Sequence, residues 1–230
     1  KHVYTQKPLT HTIQEAQALT EAARKYKVAT QMGNQGQAGD GPRRLREKIW
    51  DGAIGPVRHV HVWTDRPNRG LTGVYWPQGV SRPTDTPTVP DNLDWDLWLG
   101  PAPVRPYNRA YHPFTWRGWW DFGTGALGDM ACHILHPVFV GMKLEYPTKV
   151  QGSSTLLLSD CAPTSEMVKF TFPERKSLPK VGFPELEVTW YDGGLRPMMP
   201  EGWPAGKDMN YRGIGGGVLF HGTKDTLVCG

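Results

Sequence analysis

One carboxylate and two imidazoles are spaced so that they share one edge of a predicted helix. The stretch is Gly125-Ala-Leu-Gly-Asp-Met-Ala-Cys-His-Ile-Leu-His136. At about 100° per residue, Asp129, His133 and His136 point within roughly 40° to 60° of one another. The opposite side carries the apolar residues that we expect to pack into the core: Ala131, Ile134, Leu135, Val138 and Met142.

Three chemical roles fit this polar stripe. Buried ionisable groups must be paired or lose their charge, so the stripe could be a hydrogen-bonded structural network. An imidazole takes up a proton near neutral pH, so His133 could be a general base that Asp129 orients. Asp129, His133 and His136 could also supply three ligands to Zn²⁺ or another divalent ion, as in a metal-dependent sugar lyase or hydrolase.

An aromatic run lies immediately before this helix and indicates the kind of ligand. Exposed rings stack on the C–H faces of sugars, and flanking Arg and Asp side chains bind hydroxyls; Trp116-Arg-Gly-Trp-Trp-Asp121 contains both types. Core packing accounts for roughly half of the rings in the run. The residues that we expect to bind substrate are His112, Arg117, Trp119, Trp120, His136 and Tyr191.

The first part of the chain predicts a parallel βαβ unit. A strand at His2-Val3-Tyr4 runs into Lys7-Pro8, a capping-box pattern at Thr12–Glu15 begins a helix with an apolar arc, and Val28–Met32 forms the next strand. Ligands gather at the carboxyl ends of parallel strands. Lys7 and Asn34 follow the two strand ends, where Lys7 could stabilise a developing alkoxide.

The remainder predicts an α+β domain. Pro42–Trp50 indicates a helix, Asp94–Trp98 a helical turn and 68–90 a long irregular loop. Pro137 removes the hydrogen bond to the carbonyl of His133, which predicts a kink. The strand-like segments predict about six strands in a mostly antiparallel open sheet; they begin at Val57, Lys149, Glu166, Glu185, Val218 and Thr226. The glycine-rich stretch 213–217 precedes a strand, which favours a turn over a phosphate cradle.

Composition excludes several classes of protein. The chain has 230 residues, a formal net charge of +4 and no run of Lys and Arg, so nucleic acid is not an expected partner. No apolar run reaches membrane-spanning length. Three widely spaced cysteines make neither a disulfide framework nor a zinc knuckle. Because residue 1 is not Met and both ends lie in strand-like segments, we expect a fragment whose compartment, cytoplasmic or exported, stays open.

Two motifs in this order resemble the Gfo/Idh/MocA oxidoreductases, named for glucose–fructose oxidoreductase and inositol dehydrogenase. They are 1–10 with Met32-Gly-Asn-Gln-Gly36, and the Asp-x-x-x-His spacing of Asp129 and His133. The resemblance implies the end of a Rossmann domain over residues 1–40, then an α+β substrate-binding domain over residues 41–230 that forms homo-oligomers through its open sheet.

The resemblance also implies an activity and its residues. Family members use NAD or NADP to oxidise or reduce a hydroxyl, usually on a sugar or polyol. The implied catalytic residues are Lys7, Asp129 and His133. Lys7 also belongs to the implied cofactor-binding residues, together with Pro8, Gln31 and Asn34.

The sequence departs from the family pattern at three points. Gln6 replaces the Glu of a Glu-Lys-Pro motif, His136 stands where many members carry a second Asp, and the glycine-rich dinucleotide fingerprint is absent. The implied catalysis therefore concerns a longer parent protein. A non-catalytic carbohydrate-binding or dimerisation module is the remaining alternative for the fragment itself.

Overall fold

The computed structural model describes residues 1–68, 73–182, 185–209 and 215–230. Part of the predicted loop at 68–90 and part of the glycine-rich stretch at 213–217 lie outside the described residues. No helix in the described ranges is long and apolar enough to cross a membrane.

The N-terminal βαβ unit forms as its sequence pattern predicts. Strand β1 (Val3–Gln6) pairs in parallel with β2 (Thr30–Gly33), and helix α1 (Ile13–Tyr26) connects them. Thr12 and Glu15 make both hydrogen bonds of the capping box that begins α1. Lys7 and Asn34 consequently follow the carboxyl ends of neighbouring parallel strands, which confirms their placement.

Short connections lead from this unit into the larger part of the chain. A 3₁₀ helix at Gln35–Ala38 joins β2 to helix α2 (Asp40–Asp51). The other helices in the described part of the chain are the short α3 (Trp95–Leu99), a 3₁₀ turn (Thr115–Gly118), α4 (Gly125–Ile134) and α5 (His136–Met142).

Six strands form the large sheet. They are β3 (Val57–Thr64), β4 (Lys149–Ser154), β5 (Glu166–Pro173), β6 (Glu185–Tyr191), β7 (Gly216–Gly222) and β8 (Thr226–Cys229). Their order is β4-β5-β6-β3-β7-β8, and every neighbouring pair is antiparallel except β3 and β6. A small parallel sheet followed by a large, mostly antiparallel open sheet is the predicted fold class, which is confirmed.

The main core lies between one face of the large sheet and the helices α2, α4 and α5. Leu135, Val138 and Met142 are buried there, and Ala131 and Ile134 pack against them at partial exposure. This confirms the predicted apolar face of the helical stretch. Side chains alternate across a strand, so the opposite sheet face carries the intervening residues, including His59, His61 and Tyr191.

The N-terminal unit joins the rest of the chain through polar contacts. Helix α1 has no buried residue, and Ile13 on its apolar arc is 76% exposed. The buried hydrophobic residues of the core begin only at Leu45. Side chains from the ends of β1 and β2 instead bond to helix α4, so the junction between the two parts is where the predicted chemistry lies. The division at residue 40 stays a prediction.

Candidate active site

The helical stretch that carries the stripe is broken where Pro137 predicts a kink. Helix α4 ends at Ile134, Leu135 links the two helices with helical backbone angles, and α5 begins at His136 with Pro137 in its first turn. Proline has no N–H, so the carbonyl of His133 lacks its usual donor four residues later. Gln37 Nε2 donates to that carbonyl oxygen at 2.8 Å. The 3₁₀ turn after β2 thereby holds the end of α4.

Asp129 is the centre of charge at this junction. Its side chain is buried, and Oδ1 accepts from Lys7 Nζ at 3.0 Å and from Arg117 Nε at 3.2 Å. Lys7 Nζ also donates to the backbone oxygen of Asp129 at 2.9 Å. Two cations on one carboxylate oxygen compensate the cost of burying this charge. The structure therefore brings Lys7, Arg117 and Asp129 together from three separate segments.

Aromatic rings hold Arg117 in place. Its guanidinium carbon lies 4.1 Å from the ring centroid of Phe114 and 4.6 Å from that of Trp116. Nη1 donates to the carbonyl of Phe114 at 2.9 Å. A planar guanidinium suits both the stacking and the ion pair. Part of the aromatic run thus positions the charge beside Asp129.

His133 lies one helical turn after Asp129 and is held by the end of β2. Its Nδ1 is 2.7 Å from Asn34 Oδ1, and Asn34 Nδ2 donates to the carbonyl of Cys132. Burial lowers the pKa of His133 from its ordinary value, and the charge of Lys7 lowers it further, while Asp129 acts in the opposite sense. The imidazole is therefore neutral near pH 7 and able to accept a proton.

The third residue of the stripe, His136, has a different electrostatic environment from Asp129 and His133. Burial and the charge of Arg46 lower the pKa of His136. No three His, Cys, Asp or Glu side chains within the described ranges are arranged to hold a metal ion. Asp129 instead pairs with Lys7 and Arg117, so the three-ligand arrangement that the helical spacing allows is not formed.

The predicted substrate-binding aromatics have different environments. Trp119 is 1% exposed, and its Nε1 donates to the carbonyl of Ala110 at 2.7 Å, so its ring is part of an aromatic core. Trp120 is 38% exposed. His112 lies edge-on to Trp98 at 5.6 Å between ring centroids. Of the two tryptophans, only Trp120 is exposed to solvent.

Tyr191 lies on the opposite face of the large sheet. Its hydroxyl is 3.0 Å from His61 Nδ1, and burial raises its pKa. Because α4 packs against the other face, the structure does not bring Tyr191 to the junction that contains Asp129 and His133.

The remaining predicted cofactor residues lie around the strand ends. Gln31 is exposed in β2, where its Nε2 donates to the carbonyl of Met32. Pro8 lines a surface cavity of about 540 Å³ that Trp116 and Phe122 also border. A second cavity, of about 530 Å³, borders His133 and has apolar walls from Met130, among others. The roles of these residues stay predictions.

Two further residues join the strand ends to α4. Gln37 binds the carbonyl of His133, and His11 Nε2 lies 3.3 Å from the carbonyl of Gly123, before the helix begins. Neither residue is among those that the sequence predicts for the site. The proline at position 137 was the available signal for Gln37, because the orphaned carbonyl requires a donor and the Gly-Asn-Gln-Gly-Gln stretch contains one.

Comparison with known proteins identifies the class. Residues 66–177 match the model of the "Oxidoreductase family, C-terminal alpha/beta domain" of the Gfo/Idh/MocA group. No curated protein matches the chain. The fold matches solved oxidoreductase structures over nearly all of its length. Residues 66–177 therefore match a C-terminal domain of the Gfo/Idh/MocA oxidoreductases, which agrees with the resemblance drawn from the motifs.

Three solved structures illustrate the fold. An NAD binding oxidoreductase from Klebsiella pneumoniae is 19% identical with a TM-score of 0.57, and the match covers 99% of this chain and 47% of that one. An oxidoreductase domain protein from Kribbella flavida is 19% identical with a TM-score of 0.56, and the match covers 100% of this chain and 48% of that one. An oxidoreductase from Sinorhizobium meliloti is 16% identical with a TM-score of 0.52, and the match covers 99% of this chain and 44% of that one. The chain spans just under half the length of each.

Proposed function

We propose that the whole protein is an NAD(P)-dependent oxidoreductase that moves a hydride between a nicotinamide and the CH–OH carbon of a sugar, glycoside or polyol. The observation that carries the proposal is the ion pair of 3.0 Å between Lys7, at the carboxyl end of β1, and Asp129, one helical turn before His133. It joins the predicted cofactor edge to the predicted acid/base helix. The family-model match over residues 66–177 supports the oxidoreductase class.

The residues present fit one end of a dinucleotide. Lys7 directly follows β1 and Gln31 lies in β2, two parallel strands whose carboxyl ends meet α4, the edge at which such folds bind nucleotides. These residues would hold the nicotinamide end. The glycine-containing link between β2 and α2 lacks the G-x-G-x-x-G spacing of a pyrophosphate-binding turn, so the pyrophosphate requires residues beyond these. The bound cofactor would supply hydride chemistry.

The chain's own residues would accept the substrate's proton and stabilise the charge that develops. In the oxidation direction, the substrate hydroxyl gives its proton to neutral His133 as its C–H bond breaks. Lys7 would stabilise the negative charge that develops on the substrate oxygen. Asp129 would hold Lys7 and orient a neighbouring hydroxyl. A cavity of about 530 Å³ with apolar walls borders His133, although Lys7 and Asp129 are not among the residues that line it.

A sugar or polyol substrate is supported by the aromatic run. Trp120 presents an exposed ring, and Arg117 lies beside Asp129 with donors suited to hydroxyl groups. A monosaccharide offers both an apolar C–H face and several hydroxyls, which match these two kinds of side chain.

A hydride-transfer screen tests the proposal. The whole protein is incubated with NAD or NADP and a panel of sugars, glycosides and polyols, and reduced nicotinamide is followed by absorbance. A substrate deuterated at the reacting carbon should transfer its label to the nicotinamide. Sugar binding without any cofactor reduction across the panel would contradict the proposal and support a carbohydrate-binding module. Activity that disappears on chelation and returns with a divalent metal would support the metal-dependent alternative.

A further inference from the structure

Asn34 makes two hydrogen bonds whose directions are both determined. It is 7% exposed and lies directly after β2. The carbonyl of Cys132 only accepts, so the amide nitrogen of Asn34 must face it. The amide oxygen is then the atom that lies 2.7 Å from His133 Nδ1. Turning the amide over would place two acceptors against each other.

This orientation determines which nitrogen of His133 carries the proton. An amide oxygen only accepts, so Nδ1 must be the donor and Nε2 must hold the lone pair. We infer that Asn34 is a positioning residue that fixes His133 in its Nδ1–H tautomer and leaves Nε2 as the proton-accepting atom. This inference rests on the proposed function for the role of that proton, but the tautomer itself does not.

The hydrogen bond is compatible with both protonation states of the imidazole. During oxidation, the substrate O–H bond breaks and its proton binds Nε2, the C–H electron pair leaves as hydride to the nicotinamide, and a C=O bond forms. The imidazolium then carries protons on both nitrogens, and Nδ1–H still donates to Asn34. A neutral amide therefore holds the ring throughout without the large stabilisation of imidazolium that a carboxylate would give.

The segment around Asn34 limits how the ring can move. Gln37, three residues later, binds the carbonyl of His133, so side chain and backbone of one histidine are held by one turn. Lys7 binds the backbone oxygen of Asp129 from the neighbouring strand. Gln37 hydrogen-bonds to the backbone of His133 rather than to its imidazole, which makes it the natural control for Asn34.

Nitrogen NMR measures the tautomer directly. The whole protein is labelled with ¹⁵N-histidine, and the signals of His133 are assigned by their loss in His133→Ala. The wild-type protein should show the pattern of a protonated Nδ1 and an unprotonated Nε2. Asn34→Leu should lose that preference, Asn34→Asp should keep it and raise the pKa of His133, and Gln37→Leu should keep it unchanged. An Nε2–H tautomer in the wild type would overturn the inference, whether or not any variant folds.

Turnover supplies the second readout. Asn34→Leu should lower kcat/KM by about 10- to 100-fold, as expected when a group that orients a reacting imidazole is lost, with most of the loss in kcat. Asn34→Asp should recover much of it and shift the pH profile upward. Retention of the Nδ1–H tautomer in Asn34→Leu would contradict the inference. A changed tautomer with unchanged turnover would leave the tautomer assignment standing and would instead contradict His133 as the base.

Discussion

Gln37 donates its hydrogen bond to the one carbonyl oxygen that Pro137 deprives of a helical donor, that of His133. The break between α4 and α5 therefore creates an acceptor, and the turn after β2 supplies its donor at 2.8 Å. This pairing ties the N-terminal strands to the histidine without a buried apolar contact from α1.

Gln37 and Pro137 should be energetically coupled. Gln37→Leu leaves a carbonyl without its donor and should lower the free energy of unfolding by about 1–2 kcal/mol. In a Pro137→Ala background the restored N–H can serve the same carbonyl, so the second loss should be clearly smaller. Urea unfolding of the four proteins gives the coupling. Gln35→Leu, at an exposed position of the same 3₁₀ helix, is the matched control; equal losses in both backgrounds would contradict the pairing.

The buried carboxyl group of Asp192 should make stability depend on pH. Burial and the nearby charge of Glu166, opposed by the hydrogen bond from Trp190, raise the pKa of Asp192 to about 7. An unfolded Asp ionises near 3.9, so between these values the folded state binds more protons than the unfolded state. The free energy of unfolding should therefore fall as pH rises from about 4 through 7, by at most about 1.4 kcal/mol per pH unit for this group.

Unfolding in urea at several pH values measures this dependence. Asp192→Asn keeps an acceptor for the N–H of Trp190 and removes the titration, so its slope between pH 5 and 8 should be flatter than that of wild type, on the order of one proton fewer. Asp208→Asn, in an exposed ion pair with Arg196, should leave the slope as it is. Parallel curves for wild type and Asp192→Asn would show that this carboxyl does not titrate in the window.

The pH profile of turnover should report His133. Burial and Lys7 both lower its pKa, so the neutral base persists below the ordinary value of 6.5. For oxidation, kcat/KM should hold at neutral pH and fall with an inflection below about 6.5 as His133 is protonated. In Lys7→Met the residual activity should show that inflection at higher pH, because a positive charge has been removed. Lys25→Met, in the last turn of α1, should not move it; a downward shift in Lys7→Met would contradict the account.

The open face of the large sheet is our expected surface for self-association. Met167 pairs with Tyr191 across β5 and β6, lies on the face opposite α4 and is 41% exposed. Met167→Glu would bury a charge in such an interface and should lower the mass of the whole protein in sedimentation equilibrium. Leu97→Glu, at a 78% exposed position of α3, is the matched control. A monomeric wild-type protein would contradict the predicted self-association.

Local patterns predicted most of the architecture. Strand alternation at Val57–Trp63, the capping box at Thr12 and the missing N–H of Pro137 are properties of neighbouring residues, and each has its expected consequence in the structure. The stripe of Asp129 and His133 follows from helical geometry alone. These features need no information about distant parts of the chain.

Tertiary pairing lay beyond those patterns. The spacing of Asp129, His133 and His136 allows a metal site, but Asp129 pairs with Lys7 and Arg117 from distant segments instead. Aromatic composition likewise cannot separate Trp119, inside the core, from the exposed Trp120 next to it. In both cases at least one contacting residue is more than ten positions away along the sequence. Helix and strand periodicity carry no information about such distant contacts.

The rate of hydride transfer in His133→Ala tests the central claim most directly. With the whole protein, its best sugar or polyol substrate and a nicotinamide cofactor, the account predicts a kcat/KM about 10²- to 10⁴-fold below wild type, because the proton loses its acceptor. His2→Ala, the same substitution at the opposite end of β1, should match wild type. Undiminished hydride transfer in folded His133→Ala would contradict the account.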